Sequence, residues 1–574
     1  MSDRLANVQA LPDRAVPTRW GNAVFETKAV LLRLRRAGAD LSSAAPRRHR
    51  AGHTLTDAPV LATIRSPLWT TRGGAKDHAL NAGKIQNLRA AVAGLDGIEI
   101  GAGEVLSFWR QVGKPLRRRG FVEGRELREG CMIATVGGGL CQLSNALHEA
   151  ALDAGLEVVE RHAHTRVVPG SRAEVGRDAT IFWNYLDYRI RSPRPFRVEA
   201  KLTEGDLELT IRGELAAVAP LAEPDFLAGA MAHDCLSCGQ ITCHRHNPDT
   251  EAADAPTAWL VDAPSPEFAA QYREAAREGD LLLLPSRRFG RNAAGWPTVA
   301  PERTADLAVL RRSLDLRLAP AAKPRAAILI AADARLAAAH ARHLPASHTH
   351  LVIAQALLPH LWRLGVLQGR SFDVLLDREP IERLQATLDA AADLYPDSTT
   401  LGDFRASPAI ATAERDALGA ARRLITPHRG VATCFPAGRV ELIDWKPVTR
   451  LATRRGGRTL LFAGPALARK GIHAMREAMD GLDVSLLVER EAVDDPGFWG
   501  DRDVRVLEGD IPGELAGVVL PALVEHNPRT LLRALAAGLP VIATSACGLP
   551  PQPGLTLIPP NDPAALREAI RAVL

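Results

Sequence analysis

AWLVD (258–262), LLLLP (281–285), AAILIAA (326–332), HLVIA (350–354), TLLFAG (459–464), VSLLVE (484–489) and PVIAT (540–544) are short apolar runs of strand length. Stretches rich in Ala, Arg and Leu at helical spacing separate them. This alternation is the pattern of parallel sheets joined by helical crossovers. It runs from about residue 256 to the end, room for two doubly wound halves, 256–446 and 447–574, with KPVTRLATRRGG from residue 446 as the hinge between them.

Upstream the pattern changes. NAGKIQNLRAAVAGLDGIEI (81–100) sets Ile85, Leu88, Ala91 and Leu95 on one helical face and turns at Asp96-Gly97. PFRVEAKLTEGDLELTIRG (195–213) alternates on both sides of Glu204-Gly205-Asp206, a hairpin signal. Residues 61–215 therefore read as an α+β domain. Residues 216–255, rich in Ala, Pro and Asp, read as a linker with a local cysteine knot, and 1–60 as a basic arm.

Composition narrows the class. Among 574 residues, 46% are hydrophobic and 24% charged, a globular balance that excludes wholesale disorder. No run approaches the length of a spanning helix, and the first 30 residues lack the apolar core of a signal peptide. Seven cysteines, three of them within 235–243, exclude a disulfide scaffold and point to a reducing, cytoplasmic compartment. The net charge of +5 is concentrated at the start, where residues 1–50 hold ten Lys and Arg against four Asp and Glu. In FETKAVLLRLRRAGA (25–39) apolar residues mix with basic ones, a helix that suits the inner face of an anionic membrane, or else a solvated, partly disordered arm. No aromatic-basic platform accompanies the charge, so nucleic acid is not expected.

GGGLCQLSNALHEAAL (137–152) carries the first candidate chemistry. Three glycines allow a tight backbone path, and Leu140, Leu143, Ala146, Leu147 and Ala150 follow at helical spacing. Cys141 then stands at a helix start, where unpaired N–H groups favour a thiolate. ERHAHTRVVPG (160–170) offers His164 as its base, with His162 as the understudy, and Asp178 lies ahead to orient the base. The order Cys, His, Asp is that of transglutaminase-like cysteine enzymes. Buried packing of a small thiol stands as the other reading.

MAHDCLSCGQITCHRHN (231–247) carries the second. Cys235 and Cys238 have the spacing that grips one metal from a tight turn. Cys243 adds a third thiolate, and His244 or His246 the fourth ligand. Zinc leads, with an iron–sulfur cluster as the alternative.

Two resemblances enter on these residues. GKIQNLRAA (83–91), GEVLSFWRQVGKP (103–115), GFVEGRELREG (120–130), GGGLCQLSNALHEAALDAGLEVVERHAH (137–164) and DATIFWNYLDYRI (178–190) resemble the VanW family of vancomycin-resistance gene clusters. That resemblance implies a bacterial protein of envelope physiology and supplies no reaction. RTLLFAGPALARKGIHAMREAM (458–479) and VVLPALVEHNPRTLLRALAAGLPVIATSACGLP (518–550) resemble the donor half of GT-B glycosyltransferases. The resemblance implies two Rossmann-like domains, a nucleotide-sugar donor with its pyrophosphate at Arg469 and Lys470, a small-molecule or glycan acceptor, and Gly538, Pro540 and Thr544 in register. Glu525 matches the first of the family's two glutamates, but Arg533 stands where the second accepts ribose hydroxyls, and an arginine only donates. A glycosyltransferase and a non-catalytic binding scaffold or sensor both remain open at this point.

Overall fold

A computed structural model describes residues 18–42, 46–69, 75–128, 131–164, 166–167, 176–183, 185–214, 230–231, 243, 255–289, 295–319, 325–492, 495 and 497–574. The chain divides into two compact units: one formed by 1–256 with 345–349 and 367–370, the other by the remainder.

The first unit runs α1 (Arg19–Ser42), β1 (Val60–Pro67), α2 (Ala75–Val92), β2 (Ile98–Ile100), β3 (Val105–Ser107), α3 (Phe108–Val112), β4 (Glu123–Arg128), β5 (Cys131–Val136), α4 (Cys141–Asp153), β6 (Glu157–Glu160), β7 (Arg166–Val167), β8 (Arg189–Arg191), β9 (Phe196–Leu202), β10 (Asp206–Gly213) and β11 (Ala230–Met231). An antiparallel sheet in the order β1-β10-β9-β2 is its main layer. A second antiparallel sheet, β3-β8-β6, and the β4–β5 hairpin complete the frame around the helices. Leu88 of α2, Leu143 and Leu147 of α4, and Val198, Leu209 and Ile211 of the main sheet are fully buried together in one core. Alternation in β10 is strict, which is why 195–213 is legible as a half-buried hairpin.

The basic segment 1–60 holds two structured stretches. Residues 19–42 form a helix held to the unit, described below. His49 is buried, exchanges hydrogen bonds with Gln111, and leads into a bridge between Ala51 and Ile98.

The second unit contains two parallel sheets. The first half has β12 (Thr257–Leu260), α5 (Pro266–Ala275), β13 (Leu281–Leu284), β14 (Glu302–Thr304), α6 (Asp306–Arg317), α7 (Arg325–His343), β15 (His350–Ala354), α8 (Leu358–Arg363), β16 (Ser371–Leu375), α9 (Ile381–Leu394), α10 (Pro408–Ala420), β17 (Arg423–Thr426), α11 (Arg429–Ala432) and β18 (Val440–Leu442). Its strands lie in the order β14-β13-β12-β15-β16-β17-β18. The second half has β19 (Arg454–Phe462), α12 (Ile472–Ala478), β20 (Ser485–Val488), β21 (Val504–Val506), β22 (Glu514–Leu520), α13 (Arg529–Ala536), β23 (Val541–Thr544), β24 (Leu555–Ile558) and α14 (Pro563–Val573), with strand order β21-β20-β19-β22-β23-β24. Both orders reverse direction from an interior strand, β12 and β19. Doubly wound folds keep ligands at the carboxyl ends of the strands beside such a switch.

AAILIAA is not a strand. It opens the 19-residue helix α7 and buries Ile328, Ala332, Leu336, Ala339 and His340 along one face. Alanine is the strongest helix former and no turn residue interrupts the run, so the apolar segment joins the helix that follows. After β17 one more strand, β18, pairs in parallel at the sheet edge. His340, His348 and His360 are buried. His340 Nε2 lies 3.0 Å from the Val261 carbonyl, and burial holds the ring neutral with a pKa near 4.

Candidate functional site

Cys141 is the first residue of α4. Gly137 and Gly139 have φ of 83° and 94°, a region L side chains avoid. A Cβ on Gly138 would overlap the Gly124 carbonyl, and one on Gly139 the Lys84 side chain. The glycines therefore serve both readings: they bend the chain into the helix and let it pass against neighbouring backbone. Asn87 holds the turn by donating to the carbonyls of Gly138 (2.9 Å) and Val122 (3.0 Å).

The first turn of α4 then positions the acid. Ser144 Oγ donates to the Ala179 carbonyl at 2.6 Å, and Asn145 Oδ1 accepts the Ala179 amide at 2.8 Å. The Thr180 amide donates to the His162 carbonyl at 2.7 Å, aligning 162–164 with 178–180. Asp178, buried, therefore comes against His164. Its Oδ2 accepts from His164 Nδ1 at 2.5 Å and from the His164 amide at 2.7 Å. Its Oδ1 accepts from Arg161 Nη2 at 2.9 Å, while Arg161 Nε reaches the Asp178 carbonyl at 2.7 Å. The Cys141 thiol is half-buried, its Sγ stands 4.0 Å from the Ile181 carbonyl, and its charge is felt by His164.

The charges follow from these contacts. Burial opposes protonation of His164. The hydrogen bonds with Asp178 and Cys141, and the negative charge of both, outweigh it and raise the imidazolium to about 9. Burial likewise opposes ionisation of Asp178, but its two bonds from His164 and the Arg161 charge lower it to about 2. At neutral pH the site is thus an imidazolium, held by a buried carboxylate, beside the Cys141 sulfur.

His162 does not join it. Its Nε2 lies 3.1 Å from Glu160 Oε1 and its side chain is 40% exposed. Residues 161–164 are not in a strand, so side chains two apart do not share a face. Arg161 is the member that sequence reading passed over. It stands in the quoted ERHAHTRVVPG, where a cation next to a candidate histidine was the available signal.

In the second unit, Lys470 and Glu525 come together. Lys470 closes a 3-10 turn (Ala468–Lys470), and its Nζ donates to Glu525 Oε2 at 2.8 Å and to the Val524 carbonyl at 2.9 Å. Glu525 Oε1 accepts the Asn527 amide at 2.7 Å. Burial raises the Glu525 carboxyl, and Lys470 more than offsets that, so it stays ionised. Gly471 (φ 83°) permits this meeting, since a Cβ there would overlap the Pro521 carbonyl. His428 supports the loop from below: its Nδ1 accepts the Val431 amide, so its Nε2 donates to the Glu525 carbonyl at 2.8 Å.

The other expected donor contacts go elsewhere. Arg469 turns toward Phe404, 4.9 Å from the ring centroid, and Asp403 at 3.6 Å. The Thr544 hydroxyl is fully buried and donates to the Ala522 carbonyl at 2.5 Å, so its role is to tie β23 to the loop that follows β22. Arg533 Nε donates to the Thr449 carbonyl at 3.2 Å, and the Arg533 carbonyl accepts the Leu451 amide. The position that would read ribose instead braces the connector between the sheets. A further group absent from the sequence reading lies beyond the ends of β12 and β16. There burial, then the charges of Asp377 and Asp333, push the Asp262 carboxyl up.

Cys235, Cys238, His244 and His246 lie outside the described residues, and Cys243 alone of that cluster lies within them. Among the described residues there is no group of three or more His, Cys, Asp or Glu placed to hold a metal.

Comparison with known proteins divides the chain in the same way. Residues 83–212 match the family described as VanW like protein, and residues 513–574 match glycosyl transferases group 1. An uncharacterized protein, YoaR, of Bacillus subtilis (strain 168) is 32% identical over 136 residues, 23% of this chain and 44% of the relative. The vancomycin B-type resistance protein VanW of Enterococcus faecalis (strain ATCC 700802 / V583) is 33% identical over 112 residues, 19% of this chain and 41% of the relative. The chain thus spans under half the length of either curated relative. Among solved structures, sucrose-phosphate synthase from Thermosynechococcus elongatus aligns with TM-score 0.38 and 15% identity, covering 56% of this chain and 90% of that one. Anabaena HepE in complex with UDP and glucose aligns with TM-score 0.33 and 13% identity, covering 56% and 89%. The N-terminal part thus resembles VanW-like proteins over 83–212, and the C-terminal end resembles group 1 glycosyltransferases over 513–574.

Proposed function

We propose that the protein is a bacterial envelope-related glycosyltransferase whose VanW-like domain adds a cysteine-dependent acyl-transfer site. The observation that carries the second part is the Cys141–His164–Asp178 arrangement. In the reaction, the Cys141 thiolate attacks an acyl carbon while His164 gives its proton to the departing amine or alcohol. A thioester on Cys141 remains. An incoming water or amine then gives a proton to His164 as it attacks the thioester, and the thiolate leaves. Asp178 and Arg161 keep the imidazole oriented and take no proton. Mass spectrometry of the protein after incubation with activated esters tests this, with an adduct on Cys141 as the expected result and an adduct-free Cys141 as the contrary one.

For the glycosyl-transfer part, the group 1 family match over 513–574 supports the reading together with Lys470 beside the donor loop. Lys470 would turn from Glu525 to a nucleotide-sugar pyrophosphate, freeing the carboxylate to accept sugar hydroxyls. Calorimetry with uridine and guanosine diphosphate sugars tests the donor site. Arg533, committed to the connector, favours a second reading, a scaffold or sensor that binds such a donor without turnover. Binding without release of the nucleoside diphosphate would select it. For Cys235, Cys238, Cys243, His244 and His246 we infer zinc, or an iron–sulfur cluster. Metal analysis and a visible spectrum of anaerobically purified protein decide between them, and metal-free, folded protein would remove both.

A further inference from the structure

Helix α1 has two faces of opposite use. Along one, Ala29, Arg33, Arg36 and Asp40 recur at helical spacing and fasten the helix to the first unit. Ala29 is buried, Arg33 Nε donates to the Trp183 carbonyl at 3.4 Å, and Arg36 grips Glu160 and reaches the Tyr185 carbonyl at 3.2 Å. Arg189 Nη2 donates to Asp40 at 2.8 Å, and Phe25 packs edge-on to Phe182.

The face turned away from this attachment is apolar. Trp20, Ala23, Thr27, Leu31, Leu34 and Gly38 form a stripe at intervals of three and four residues, with Trp20 79%, Leu31 60% and Leu34 64% exposed. Val30, 47% exposed, borders it. At 100° per residue, Lys28 and Arg35 fall together on one flank of the stripe, and Arg19 stands at its start. The exposed acid Glu26 falls on the opposite flank. None of these three cations has an ion-pair partner among the described residues. A docked helix normally points its apolar face inward, and here the charged stripe does the docking.

We propose that α1 is an interfacial helix that seats the VanW-like unit on an anionic lipid bilayer. The helix is about 36 Å long at 1.5 Å per residue and no helix among the described residues is long and apolar enough to cross a membrane, so it lies in the plane of the surface. Apolar side chains enter the acyl boundary, Trp20 sits at the headgroup level, and Lys28 and Arg35 meet lipid phosphates. A second copy fits less well, because a two-fold contact on this stripe gathers the same cations into one interface.

Co-sedimentation of the full chain with vesicles tests the proposal without reference to either enzymatic reading. We expect binding to mixed phosphatidylglycerol–phosphatidylcholine vesicles and much weaker binding to phosphatidylcholine alone. Leu31→Asp/Leu34→Asp should cut the bound fraction about tenfold or more. Lys28→Glu/Arg35→Glu should cut binding to the anionic vesicles about tenfold and leave binding to neutral ones unchanged. Cys141→Ala should bind as the parent does. All substituted side chains on α1 are exposed, and circular dichroism checks that the fold is kept. The proposal is overturned if the parent chain stays in the supernatant or if Leu31→Asp/Leu34→Asp binds equally. It is also overturned if sedimentation velocity shows a dimer that this variant dissolves.

Discussion

Asp178 and Glu525 are both buried carboxylates that receive a cation, yet their surroundings differ in what is left over. Asp178 accepts His164 on one oxygen and Arg161 on the other, and the imidazole it holds still faces the Cys141 sulfur. Glu525 accepts Lys470 on one oxygen and the Asn527 amide on the other, and the lysine is the very group that a pyrophosphate would need. In the first unit the ion pair leaves the imidazole beside a third group, the thiol. In the second, each member of the pair occupies the other, and a ligand must separate them. The comparison teaches that matching residues in register are not enough: a site is ready only where the charges are oriented toward an atom outside the pair.

The sharpest way to break this contrast is to compare thiols. Iodoacetamide at pH 7 should modify Cys141 at least about a thousandfold faster than Cys547, whose thiol is fully buried and pushed up by burial to about 12. Equal rates would place Cys141 with the packing residues. His164→Ala should then slow modification of Cys141 about tenfold or more, whereas His162→Ala, which removes only the Glu160 contact, should change it less than about twofold. Asp178→Asn should fall between them, since it misorients the base and leaves it in place.

A second measurement uses pH. Because the folded His164 titrates near 9 and an unfolded histidine near 6.5, its contribution is fully present below about 6.5 and fades as pH rises through 9. The gap in unfolding free energy between the parent and His164→Gln should therefore be larger at pH 6 than at pH 10, by on the order of 2 kcal/mol. A gap that widens with pH would mean that the native ring is neutral. The smallest effect is expected in the second unit. Lys470→Ala should weaken nucleotide-sugar binding about tenfold, and Arg533→Ala should leave it within about twofold, since that arginine bonds the connector. A large loss in Arg533→Ala would return this position to the donor site.

Much of this was legible in the residues. The strand runs at 258–262, 281–285, 350–354, 459–464, 484–489 and 540–544 have helices between them and turns at their ends, so the parallel sheets could be read directly. AAILIAA could not be, because a run of seven apolar residues has no period of its own. The decision lay in ADARLAAAHARH downstream, which continues the helix without a break. At the thiol site, residue types and chain order pointed to Cys141, His164 and Asp178 as a group. His164 is nearer Asp178 along the chain than His162 is, but the backbone bonds of Ala179 and Thr180 are what align the segments. Thr544 illustrates the limit on the other side. Its register matches a donor-site pattern, but a hydroxyl is claimed by the nearest carbonyl, and which one that is depends on the packing of β22 against β23.

The clamp on Ala179 has a consequence for timing. Its amide and carbonyl are both bonded to side chains of α4 and not to a neighbouring strand. That amide can exchange with solvent only when the helix bearing Cys141 parts from the segment bearing Asp178. Its hydrogen-exchange rate is therefore a clock for the assembled site, readable without substrate. A ligand that draws the two segments together should slow the clock, and a variant that loosens them should quicken it before any change in the melting of the unit is seen.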